Sequence, residues 1–166
     1  GAALFLDPLT TNLTFGSVSS TNSTTNGATV DTVTGVLNIN QFTVSGAAGS
    51  GLLIQNSSGL TSTIQNLAIT TVGTTGADNG VTLSNAGNVS LLVGSIQGTT
   101  GDGIHSTDTN LTINGLGITG GSIAGDALQV VNTSGSHTVN VSNSALYGGT
   151  SALTTSDSGA SAGLVL

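Results

Sequence analysis

The chain has 166 residues and carries seven Asp and two His but no Lys, Arg, Cys, Met or Trp, for a net charge of −7. With no cationic side chain to neutralise phosphates, nucleic acid is excluded as a partner, and attraction to an anionic membrane surface is missing for the same reason. No apolar run is long enough to span a bilayer as a helix, and no charged leader precedes an apolar core, the pattern expected of a mature or excised segment.

Thr, Ser and Asn make up 65 residues, with 26 Gly, a composition shared with disordered chains. Yet 36% of the chain is apolar and regularly spaced, which favours order. The lack of Cys is compatible with a large secreted protein. The lack of Lys and Arg leaves trypsin-like proteases no cleavage site, so an extracellular location is expected.

Taken in chain order, residues Ala3-Leu4-Phe5-Leu6 place a small residue before an apolar–x–apolar triplet. A longer pattern, apolar–x–apolar–x–x–apolar–x–apolar, then starts at Leu13 and returns at Leu37, Ser62, Val89, Leu111 and Val139. The small-residue triplet also returns, at Gly27, Gly51, Gly80, Gly103, Ala127 and Ala152. Period-2 alternation predicts strands with one buried face, and the β-branched residues and glycines disfavour helix. The two-residue skip inside the long pattern predicts a corner, where the chain changes direction while its apolar side chains stay inside.

A unit of about 25 residues with several short strands is the mark of a solenoid in which each repeat forms one coil. The expected fold is all-β, a right-handed parallel β-helix of about six coils. It forms one domain over residues 1–166 that begins and ends in partial coils. The repeated corner and the column of Asn and Asp resemble the right-handed parallel β-helix family of pectate lyases, tailspikes and the long passengers of bacterial surface exoproteins. That resemblance implies the fold and leaves the activity open.

Five residues after each small residue stand Asn56, Asn85, Asp108, Asn132 and Asp157, with Thr32 in the first coil. Stacked at about 4.8 Å, these side chains are expected to form a structural ladder. Calcium is disfavoured there because it requires six to eight oxygens with several carboxylates. Asp102 and Asp126 precede the small residue in consecutive coils, and carboxylates about 5 Å apart are the spacing of a retaining glycosidase. With His105 three residues on, this is the best catalytic constellation in the chain. It is outweighed by Asn79 in the same column and by the turn chemistry of Asp before Gly. The lyases of the resembled family use a basic residue that this chain lacks, so no enzyme is expected, and no cofactor or metal.

His105 reads as an outward, solvated side chain, and His137 lies at another phase of the repeat. Phe5 and Tyr147 are isolated, so no aromatic platform for sugars is encoded. Seven Asn-x-Ser/Thr sequons start at Asn12, Asn22, Asn56, Asn88, Asn110, Asn132 and Asn140, each a candidate glycosylation site. The outward stripe Thr14, Asn38, Thr63, Ser90, Thr112 and Asn140 reads as a solvated β face.

Leu164-Val165-Leu166 falls where a seventh coil would start, so apolar coils are expected at both ends, with Leu4, Leu6, Leu164 and Leu166 available for assembly. Solenoid ends normally carry polar caps. The expected function is an extracellular building unit of a fibre or surface adhesin, with head-to-tail copies of itself as partners and no membrane insertion. Alternatives are a segment of a larger adhesin, a glycan-binding or carbohydrate-active β-helix, and an ice-binding face.

Overall fold

The computed structural model describes residues 1–119, 123–157 and 163–165, the last three by their backbone alone. In chain order the strands are β1 (Leu4–Leu6), β2 (Leu9–Phe15), β3 (Val18–Thr21), β4 (Ala28–Asp31), β5 (Val33–Ile39) and β6 (Phe42–Ser45). They continue with β7 (Leu52–Gln55), β8 (Leu60–Ile64), β9 (Leu67–Val72), β10 (Val81–Ser84), β11 (Asn88–Thr99) and β12 (Ile104–Thr107). The last are β13 (Asn110–Ile118), β14 (Leu128–Asn132), β15 (Thr138–Ser142), β16 (Ala145–Leu146), β17 (Leu153–Asp157) and β18 (Gly163–Val165). Among the described residues there is no helix, and the parallel strands stack as a β-solenoid of about six turns, ~24 residues apart.

Three faces wrap one core. One sheet runs β1-β4-β7-β10-β12-β14-β17; the other carries β2, β5, β8, β11, β13, β15 and β18, with β3, β6, β9 and β16 alongside as the third face. The register follows the repeat read from the sequence. Leu13 pairs with Leu37, Leu37 with Ser62, Ser62 with Val89, Val89 with Leu111, Leu111 with Val139 and Val139 with Leu164. Parallel pairing over long connections costs loop entropy, and burial along the axis offsets it. The inward columns are closed to solvent, with Ile39, Ile64, Leu91 and Ile113 each at most 1% exposed. Ser62 and Ser106 stand inward between apolar register neighbours, and their hydroxyls have no hydrogen-bond partner.

The skip is a corner made in two ways. In the first three coils it interrupts the strand, between β2 and β3, β5 and β6, and β8 and β9. Strands β11 and β13 run through it and turn on positive-φ residues, Val93 (φ 52°) followed by Gly94 (φ 138°) in β11 and Gly115 (φ 76°) in β13. Asn143 (φ 50°) holds the same position one coil later. Only glycine adopts such φ without strain, and Asn tolerates it better than a β-branched residue does.

Candidate functional site

The turn that leads into each strand of the β1–β17 sheet places a polar residue directly before the small one: Asn26, Ser50, Asn79, Asp102 and Asp126. Coil stacking brings these five into one column, and their side chains bind it together. The Ser50 N–H donates to Asn26 Oδ1 (2.9 Å), the Asn79 N–H to Ser50 Oγ (3.2 Å), the Asp102 N–H to Asn79 Oδ1 (2.7 Å) and the Asp126 N–H to Asp102 Oδ1 (2.8 Å). Each backbone donor that the corner removes from the strand ladder is thus met by the side chain one coil earlier. A buried N–H left unpaired would cost roughly 1–3 kcal/mol.

On Asn26, Asn79 and Asp102 a second arm points outward to the strand that follows, while Ser50 Oγ pairs with Thr82 Oγ1 one coil on (2.9 Å). Asn26 Nδ2 donates to Thr29 Oγ1 (3.2 Å) and Asn79 Nδ2 to Thr82 Oγ1 (3.1 Å). In the next coil the same position pairs Asp102 Oδ2 with His105 Nδ1 (3.1 Å), and His105 Nε2 lies 3.4 Å from Thr107 Oγ1. Close behind runs the small column. A Cβ on Gly51 would sit 2.7 Å from the Gly80 carbonyl, and one on Gly80 would sit 2.5 Å from the Gly103 carbonyl. The coils approach this closely because no side chain stands between them.

The column of Asn56, Asn85, Asp108, Asn132 and Asp157 lies at the far end of the same strands and works differently. Thr32, Asn56, Asn85 and Asp108 all have φ between 47° and 55°. Here the residue type answers to the backbone first. Side-chain bonding varies from coil to coil. Asn56 Nδ2 donates to Asp31 (3.0 Å), while Asn132 Nδ2 donates to Asp157 (3.2 Å) and to the Gly135 carbonyl (3.1 Å). Asn85 is exposed, and its backbone N–H donates to the Thr107 carbonyl at 2.9 Å.

Burial alone would push the Asp108 carboxyl up. The hydroxyl and N–H of Thr133 and the N–H and hydroxyl of Ser134 outweigh it and hold that carboxyl at about 2. Asp31 is lowered by the amides of Gln55 and Asn56. Asp78 is also lowered, its burial outweighed by Thr75 and Thr74 in its turn. These carboxylates are occupied by donors of the chain itself. Among the described residues no three His, Cys, Asp or Glu converge as metal ligands.

Asp102 and Asp126 do share a column, but Asp126 is 6% exposed and linked to Asp102 through its backbone N–H. His105 points outward but is half-buried instead of solvated, with Asp102 and Thr107 beside its ring nitrogens. His137 Nδ1 lies 2.9 Å from Asn132 Oδ1.

The sequons fall in unlike places. Asn12, Asn22, Asn56, Asn88 and Asn140 are exposed, Asn110 is half-buried and donates to Asn88 (3.1 Å), and Asn132 is 1% exposed. Leu4 and Leu6 are half-buried against the core. Leu164 lies in β18, its side chain outside the described residues, as is Leu166.

Sequence reasoning missed Asn26 and Ser50 as members of a bonded column, and missed the buried hydroxyls of Ser57 and Thr109. The latter two accept the N–H groups of Val33 and Ala86 from the preceding coil (3.0 Å each). The signal was present as a polar residue before every small one, but its identity alternates among Asn, Ser and Asp. No family model, curated protein or solved structure matches the chain.

Proposed function

We propose that this chain is a non-enzymatic structural rod of an extracellular fibre or surface adhesin, extended by stacking coil on coil. In this reading its coils are similar to those of the long passengers of bacterial surface exoproteins. The observation that carries it is the five-member side-chain zipper from Asn26 to Asp126, which repeats one structural task along the axis. A solenoid built this way propagates by adding further coils in the same register. The strands β1 and β2 present the half-buried Leu4, Leu6, Leu13 and Phe15 on the face that a preceding coil would cover. Such a coil belongs either to the same polypeptide or to a second copy.

Head-to-tail contact is heterologous and generates an open filament when the rotation does not close. The chain has no Lys or Arg, so like charge opposes lateral clumping and leaves axial growth favoured by salt. Electron microscopy of the concentrated chain at high salt tests the reading. Axial filaments that disappear in a folded Leu4→Asp/Leu6→Asp variant support self-assembly. Persistent monomers would remove copies of the chain as the partner.

A further inference from the structure

We propose that the fold makes Asn114 a site of self-modification, whose side-chain amide is lost through attack by its own backbone, while it shields the two other Asn–Gly steps of the chain. The products are aspartate and isoaspartate. Water is the only co-reactant, and the modification is independent of whether the rod assembles into fibres.

Asn before Gly is the step at which the following backbone nitrogen most easily reaches the side-chain carbonyl, because glycine has no Cβ in the way. The chain holds three of them, Asn26–Gly27, Asn79–Gly80 and Asn114–Gly115. Their local chemistry is the same. Their places in the rod are not.

At the first two, the amide and the attacking nitrogen are both tied. Asn26 Oδ1 accepts the Ser50 N–H (2.9 Å), and Asn26 Nδ2 donates to Thr29 Oγ1 (3.2 Å). Asn79 Oδ1 accepts the Asp102 N–H (2.7 Å), and Asn79 Nδ2 donates to Thr82 Oγ1 (3.1 Å). The Gly27 N–H donates to the Ser50 carbonyl and the Gly80 N–H to the Asp102 carbonyl, each at 3.0 Å. Both glycines are buried. Turning either amide toward its glycine breaks these bonds inside the coil stack, so reaction there waits on local opening of the rod.

Asn114 stands on the outside of the corner in β13. It is exposed, and its Oδ1 accepts from Asn143 Nδ2 (3.0 Å). Its own Nδ2, the leaving group, has no partner among the described residues. Gly115 turns the corner at φ 76°, and the register steps over it on both sides. Strand β11 pairs with Asn114 and Leu116, β15 stops pairing at Asn114, and β16 begins at Gly117. A Cβ on Gly115 would meet nothing nearer than 3.5 Å, so this corner also has room to move.

The Gly115 backbone nitrogen gives up its proton to water and bonds to Asn114 Cγ. The Cγ–Nδ2 bond breaks, and Nδ2 takes up a proton and leaves as ammonia, closing a cyclic imide. Water then adds to one of the two imide carbonyls, and the bond from that carbon to the ring nitrogen breaks. Opening at Cγ gives aspartate, which keeps an acceptor for Asn143 Nδ2. Opening at the backbone carbonyl gives isoaspartate, which lengthens the main chain by one carbon where the register already skips. Either product adds a negative charge to the outside of the rod.

Peptide mapping by mass spectrometry tests the proposal on the purified full chain, held in mildly alkaline buffer either folded or unfolded in urea. Cleavage before Asp puts the three steps into separate peptides, 7–30, 78–101 and 108–125. In the folded chain, 108–125 should exchange one NH for O at least about tenfold faster than the other two. Aspartate at 114 creates a new cleavage point and isoaspartate does not, so the two products are counted apart. In urea the three rates should come within about threefold of one another, because the protection belongs to the folded state. Asn114→Gln keeps an amide at the corner but must close a larger ring, so it should abolish the change in 108–125 and leave the other peptides unaffected. Equal conversion of the three peptides in the folded chain, or an unchanged 108–125, would overturn the proposal. So would conversion mapped to Asn110, or a rate difference that persists in urea.

Discussion

Two polar columns flank the β4–β17 sheet, and they are built from nearly the same residue types. The column Asn26, Ser50, Asn79, Asp102 and Asp126 joins consecutive coils, each of the first four side chains accepting the next backbone N–H. The column Thr32, Asn56, Asn85 and Asp108 sits instead where φ turns positive, and its N–H groups are already met by backbone carbonyls. One column is chosen for a side-chain acceptor, the other for tolerance of left-handed backbone. Residue identity alone does not tell these roles apart; what separates them is where each backbone donor goes.

The strongest way to break the first column is to push its coils apart. Gly80→Val introduces a side chain whose Cβ would lie 2.5 Å from the Gly103 carbonyl and 2.4 Å from an Ile96 methyl. Clash with backbone on one side and core on the other should cost on the order of 4 kcal/mol or prevent folding, read by urea denaturation. At Gly16, where nothing lies within 4 Å of the added Cβ, the same change should cost less.

Acid separates the columns by a different route. Asp108 in the second column is held at about 2 against an ordinary value of 3.8. Its folded-state value is depressed, so its contribution is present above about pH 4 and is lost as pH falls toward 2. Asp31 and Asp78 are lowered too and act in the same direction. Thermal melts between pH 5 and pH 2 should show Tm falling with acid, and Asp108→Asn should flatten part of that fall.

Most of the fold was legible in the sequence because one face is buried, and a slip of one residue would expose every inward side chain. Hence Leu13, Leu37, Ser62, Val89, Leu111 and Val139 could be aligned in advance, even though Ser62 is polar. The zipper was not legible. Asn, Ser and Asp serve it equally, and a polar residue before Gly is also ordinary turn chemistry. Val93 was illegible for the opposite reason, since nothing in a β-branched residue announces a φ of 52°. The Asp102–His105 contact depended on the direction of a second arm, which repeat spacing does not specify.

Smaller effects sharpen the comparison at places where sequence and backbone disagree. Val93→Gly should stabilise the rod by roughly 0.5–1 kcal/mol, since Val93 is 57% exposed and loses little packing while the strain is relieved. Ser106→Ala should be neutral or stabilising by about 1 kcal/mol, because a buried hydroxyl without a partner is replaced by a methyl group of similar size. Melting temperatures check both. A loss of stability on Ser106→Ala would mean that the hydroxyl is satisfied by bound water.

The most direct measurement is a paired urea denaturation of Asn79→Ala and Asn85→Gly, one change in each column. Asn79→Ala leaves the Asp102 N–H without its 2.7 Å acceptor and should cost about 2 kcal/mol. Asn85→Gly keeps a residue suited to φ 52° and should change stability by less than about 0.5 kcal/mol. Asn79→Asp should recover most of the loss, because Asp serves the same rung one coil later. Equal losses at the two positions, or a neutral Asn79→Ala, would contradict a rod zipped together by the first column.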